Sequence, residues 1–92
     1  MPMTRKEKVT NVIDGDTFQT ASRKNSVRLA NVNAPEKGQP KADQAKAALK
    51  KLIEEKMVSI ETVARDKYRR SVAKVKVDNK SVNTAMRKML KK

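Results

Sequence analysis

The chain has 92 residues, enough for one domain whose core buries roughly 60–65% of the unfolded surface. With 23 Lys and Arg against 10 Asp and Glu, its net charge of +13 favours polyanions, nucleic acid before anionic membrane. Cys and His are absent. That excludes disulfides, thiolate nucleophiles, cysteine-bound metals and the usual imidazole base, and leaves carboxylates, Lys, Arg, Tyr or an oxygen-held hard cation for any catalysis.

Residues 1–7 are polar and are expected to form a flexible segment ahead of a domain spanning 8–92. Residues 8–13 hold Val9, Val12 and Ile13, a short β-prone run with weak alternation. Asp14-Gly15-Asp16 is a turn signal, and residues 17–21 form a second short strand. A polar loop over 22–26 leads to a third strand over 27–32. Strict alternation there puts Val27 and Leu29 on one face and Arg28, Ala30 and Val32 on the other. Pro35 cannot donate to a ladder, so this strand ends near Asn33.

The main helix is predicted over 40–56, with Pro40 at its first position and Ala42, Ala45, Leu49, Leu52 and Ile53 as an apolar stripe. Residues 57–63 form a fourth strand, with Val58 and Ile60 on one face. A charged turn over 64–69 precedes a fifth strand over 71–77, where Ala73, Val75 and Val77 alternate with Lys74 and Lys76. Ser81 is placed to cap a last helix carrying Val82, Ala85, Met86, Met89 and Leu90 at helical spacing. The order β-β-β-α-β-β-α describes an α+β, mainly β chain: a five-stranded Greek-key barrel of OB type with two helices. No apolar run is long enough to span a bilayer, and no signal-peptide core opens the chain, so the compartment stays open between secreted and cytoplasmic.

Four groups of residues carry potential chemistry. Asp14 and Asp16 flank a glycine at a strand end, which makes either an ordinary turn or an oxygen site for a hard cation. Arg28, on a half-buried strand, needs an anion, supplied either by the protein or by a substrate. Glu36 follows Asn33-Ala34-Pro35; it is either a solvated loop residue or, in a chain without histidine, a carboxylate able to activate water. Asp66-Lys67-Tyr68-Arg69-Arg70 is either a solvated charge run or a brace for a phosphoryl group.

Together, Asp14-Gly15-Asp16-Thr17, Arg28-Leu29 with Asn33-Ala34-Pro35-Glu36, and Asp66-Lys67-Tyr68 ending in Arg70 resemble the staphylococcal nuclease (thermonuclease) family, over about residues 9–90. The resemblance implies an OB barrel with helices and Ca²⁺-dependent hydrolysis of DNA and RNA phosphodiesters that leaves a 3′-phosphate. By motif position, Asp16 resembles the direct Ca²⁺ ligand and Asp14 an acid acting on the metal through water. Asn33 falls at the second carboxylate ligand, and Ala34 would give its backbone carbonyl. Arg28 and Arg70 resemble the arginines on the scissile phosphate, Glu36 the residue that positions water, and Lys67 and Tyr68 the pair on a neighbouring phosphate.

Three features depart from the family pattern. Asn33 stands where the family has Asp, which removes one negative charge, so weaker metal binding and slower cleavage are expected. Arg69 stands where the family has Gly, whose backbone takes angles that Arg resists. The chain stops after the second helix, without the third helix of longer relatives. The expected function is a Ca²⁺-dependent nuclease acting on DNA or RNA as a monomer. The alternative is a catalytically impaired nucleic-acid-binding protein on the same fold, although aromatic residues for base stacking amount to Phe18 and Tyr68 alone.

Overall fold

The computed structural model describes residues 4–35, 38–67 and 69–90. Strand β1, Thr4–Asp14, begins at Thr4 rather than Lys8 and pairs along its first half with β4. Its weak alternation has a structural cause. The pairing of β1 with β2 (Thr17–Thr20) shifts register between Val9 and Asn11 and again between Val12 and Asp14. Each irregularity bends the strand and resets which side chains face inward. Val9 and Val12, three positions apart, are therefore both buried.

Strand β3, Val27–Leu29, is shorter than the sequence suggests. Asn31 turns the chain at a positive φ of 60°. The alternation of the strand does not survive that turn, so Val32 joins Val27 and Leu29 in the core instead of sharing a face with Arg28. Helix α1, Ala42–Ile53, starts two residues after Pro40, because Lys41 at φ 68° occupies the entry position in a left-handed conformation. Ala42, Ala45, Leu49 and Ile53 are buried on its inner stripe, and Leu52 packs at the edge of the core.

Strands β4 (Met57–Arg65) and β5 (Ser71–Val77) form the longest antiparallel pair. Strand β5 also runs parallel to β3, with Val27 opposite Ser71 and Arg28 opposite Val72. That pairing closes the ring β1-β2-β3-β5-β4 into the five-stranded OB-type barrel expected from the element order. A short strand β6, Lys80–Ser81, follows β5, and helix α2, Val82–Leu90, starts with Ser81 Oγ accepting from the Thr84 N–H at 3.2 Å.

The core joins Phe18, Leu29, Ile60 and Val75 of the barrel to Leu49 and Ile53 of α1 and Val82 and Met86 of α2. Buried among them, Asn83 of α2 accepts from the Val75 N–H at 2.8 Å and donates to the carbonyls of Ala30 and Ala73 at 2.9 and 3.0 Å. One side chain thus ties the helix to β5 and to the chain leaving β3. No helix among the described residues is long and apolar enough to cross a membrane.

Candidate active site

The ring closure fixes the site. Arg28 lies opposite Thr17 on one side and Val72 on the other, at the point where β3 joins β2 to β5. The Asp14–Asp16 turn, the residues after β3 and the turn before β5 therefore meet at one end of the barrel. Asp14, Asp16, Arg28, Asn33, Ala34, Pro35, Gln39 and Arg70 line a common cleft of about 440 Å³.

Asp16 organises one wall. Its backbone carbonyl accepts from the Leu29 N–H at 2.8 Å. Its carboxylate accepts from Thr17 Oγ1 at 2.9 Å and from the Ala34 N–H at 3.1 Å, which ties the loop after β3 to the first turn. Gly15 allows the same approach from behind. A Cβ at this position would stand 2.6 Å from the Cβ of Ala45 and 2.8 Å from that of Ala34, so close packing, not an unusual backbone angle, requires glycine here.

The two arginines are held in different ways. Arg28 Nη2 donates to Asn33 Oδ1 at 2.8 Å and stands 3.6 Å from Asp16 Oδ2. Arg70 Nε donates to Asp66 Oδ2 at 2.7 Å, while the Arg70 N–H donates to Asp66 Oδ1 at 3.0 Å. Asp66 also gives its N–H to the Arg70 carbonyl at 3.1 Å and accepts from the Arg69 N–H at 3.0 Å. It therefore closes the turn and aims Arg70 at once. The sequence placed Asp66 in the charged run without a role of its own, although an acid four residues before an arginine was the signal for this pairing. Gln39, also on the wall, had no such signal.

Both arginine side chains remain partly exposed, at 23% for Arg28 and 29% for Arg70, so their guanidinium groups are restrained but accessible. Of the other expected residues, Lys67 is exposed on the turn and does not line the cleft. Glu36 and Tyr68 lie outside the described residues.

Among the described residues, the side-chain oxygen donors lining the cleft are the carboxylates of Asp14 and Asp16 and the amide oxygens of Asn33 and Gln39. This all-oxygen set fits a hard cation such as Ca²⁺ or Mg²⁺ and not a soft metal. Among the described residues, no group of three or more acids, histidines or cysteines comes together to hold a metal. Beside the cleft runs a larger groove of about 710 Å³ that shares Asn33, Ala34, Pro35 and Gln39 with it and ends on Met89 and Leu90. Among its described lining residues the one charged side chain is Lys41, whereas Asp14, Asp16, Arg28 and Arg70 line the smaller space.

Fold and cleft together define a small OB-type barrel with carboxylates and arginines gathered at the end where its ring closes. The chain belongs to the staphylococcal nuclease homologue family, whose model matches residues 26–89. It is similar to an uncharacterized endonuclease of Haemophilus influenzae, 33% identical over 82 residues that cover 86% of this chain and 46% of that protein. It is also similar to an uncharacterized endonuclease of Escherichia coli O157:H7, 34% identical over 82 residues that cover 86% of this chain and 54% of that protein. The chain thus spans about half the length of these relatives.

Proposed function

We propose that the chain is a Ca²⁺-dependent nuclease that hydrolyses phosphodiester bonds of DNA or RNA as a monomer, with turnover slowed by Asn33. The observation that carries this reading is the meeting of Arg28 and Arg70 with Asp14 and Asp16 in one cleft. Family membership and the description of the relatives as endonucleases support it.

In this reading the scissile phosphate lies between the two guanidinium groups. Asn33 and Asp16 hold Arg28, and Asp66 holds Arg70, so little side-chain freedom is lost when substrate binds. Water adds to phosphorus and the bond to the 5′ oxygen breaks. Glu36 orients that water and accepts its proton, while the departing oxygen takes a proton from solvent and the phosphate stays on the 3′ side. Charge growing on the phosphoryl oxygens is met by Arg28 and Arg70, and loss of one such contact commonly costs about 2.7–4 kcal/mol of transition-state stabilisation. Asp16, Asn33 and the Ala34 carbonyl would hold the cation, with Asp14 acting through water. When bound, Ca²⁺ adds positive charge against the phosphate. Lys67 and Tyr68 would contact a neighbouring phosphate.

One observation favours a second reading, a nucleic-acid binder with impaired catalysis. Asn33 offers a neutral amide oxygen, and that oxygen already accepts from Arg28. A single assay separates the two readings. Denatured DNA is incubated with the protein and Ca²⁺, then with chelator. Cleavage that the chelator stops is the expected result; salt-sensitive retention of intact DNA would select the binder.

A further inference from the structure

A second cleft, of about 490 Å³, opens beside the 66–70 turn, with Glu7, Arg23, Lys24, Arg65, Arg69 and Ser71 in its lining. Four of these residues are cationic. Glu7, the single acid, is buried at 6% exposure and accepts from Thr20 Oγ1, Ser22 Oγ and Arg23 Nε. The same arginine donates through Nη1 to Ser71 Oγ at 2.8 Å. Glu7 thus fixes Arg23 and offsets its charge, so that among the described residues of the cleft Lys24, Arg65 and Arg69 remain as a net excess of three cations. Lys24, Arg65 and Arg69 have no carboxylate partner among the described residues.

Arg69 supplies an independent observation. Its φ of 65° lies in the left-handed region, where glycine sits without strain and an arginine does not. The turn keeps an arginine there, and its side chain lines the cationic cleft. Its neighbour Arg70 lines the first cleft. Two consecutive arginines of one turn therefore line two different clefts. A polyanion held at Arg70 meets a second set of cations next along the surface, and Asp66, the acid of the shared turn, is already paired with Arg70.

We propose that Arg23, Lys24, Arg65 and Arg69 form a second phosphate-binding site that grips the backbone of a single-stranded polynucleotide beyond the phosphate held at Arg28 and Arg70. This rests on the nuclease reading only for the identity of the ligand, and binding can be measured without cleavage.

The test uses fluorescence anisotropy with a labelled twenty-nucleotide oligo-dT in chelator, over 50–300 mM salt, on the whole chain. The double variant R65A/R69G removes two cations and relieves the left-handed arginine, and its fold is checked by circular dichroism. Each phosphate contact to a single strand adds about 0.7 to the slope of log affinity against log salt, so the slope should fall by about 1.4 and affinity near 0.1 M roughly tenfold or more. The difference from the parent should shrink as the strand is shortened towards two nucleotides. K46A/K51A, which removes two exposed lysines of α1 away from the cleft, should change the slope by much less. If R65A/R69G refolds the turn, Lys24→Ala alone should lower the slope by about 0.7. Parental affinity and slope in these variants, an equal loss in K46A/K51A, or no binding by the parent would overturn the site. Binding that follows the expected pattern, with no cleavage when Ca²⁺ is supplied, would sink the nuclease reading and leave this site standing.

Discussion

Asn33 sits where two requirements meet, the orientation of Arg28 and the charge that a cation would need. The loop after β3 brings its amide to Arg28, the hydrogen bond of 2.8 Å orients that arginine, and Asn33 lines the same cleft as the acids that suit a cation. An amide satisfies the arginine but adds no charge. A carboxylate would do both, because its two oxygens accept several bonds and a charged acceptor strengthens the bond from a guanidinium. Asn33→Asp should therefore keep Arg28 in place and tighten Ca²⁺ binding about tenfold, about 1.4 kcal/mol, by adding a third negative charge to the oxygen set. Isothermal titration with Ca²⁺ in the absence of nucleic acid reads this directly. An unchanged affinity would show that residue 33 does not set metal binding.

At the scale of elements, β4, β5 and the two helices were legible because each has a clear apolar period: Ala73 and Val75 on β5, Val58 and Ile60 on β4, and the apolar stripes of α1 and α2. What was not legible depended on contacts distant in sequence. The bulges of β1 are set by its pairing with β2, the early end of β3 by the turn at Asn31, and the burial of Asn83 by three backbone groups on other elements. Of the site, the arginines and acids were readable as types at characteristic positions; their restraint by Asp66 and Asn33 was not, since it is geometry across a turn.

Glu7 belongs to the same category: it reads as one more polar residue of the N-terminal segment, yet it pins β1 to the loop before β3. Burial pushes its carboxyl up, but hydrogen bonds from Ser22, Arg23 and Thr20 and the charge of Arg23 outweigh that and hold it below its ordinary value of 4.5. The folded state thus binds this proton less readily than the unfolded state. The stabilisation is full above the unfolded value and is lost as pH falls through the lower folded one. Glu7→Gln should cost about 2 kcal/mol at pH 7, the usual scale for hydrogen bonds to a charged group. Its deficit against the parent should narrow by pH 3. Urea unfolding at pH 7, 5 and 3 measures both values, and a deficit that stays constant with pH would deny Glu7 a charged role.

For the molecule as a whole, the excess of 13 positive charges acts in opposite directions on stability and on binding. Like charges crowded on a chain of this size repel one another, and folding brings them closer together. Salt screens that repulsion, with a Debye length of about 10 Å at 0.1 M. The free protein should therefore melt higher at 300 mM than at 30 mM salt. The Glu7–Arg23 pair, largely out of solvent, should lose little over the same range. Bound nucleic acid neutralises the same charges, so a polynucleotide at one hundred times its Kd should add about 2.7 kcal/mol at low salt. For a domain of this length that corresponds to a rise in Tm of roughly 10–20 °C. Counterion release makes this stabilisation fade as salt increases. Thermal melts with and without oligo-dT, in chelator, should converge from opposite sides: the free curve rising and the bound curve falling with salt. A free protein whose Tm falls with salt would mean that its ion pairs, and not its net charge, govern the electrostatics of the fold.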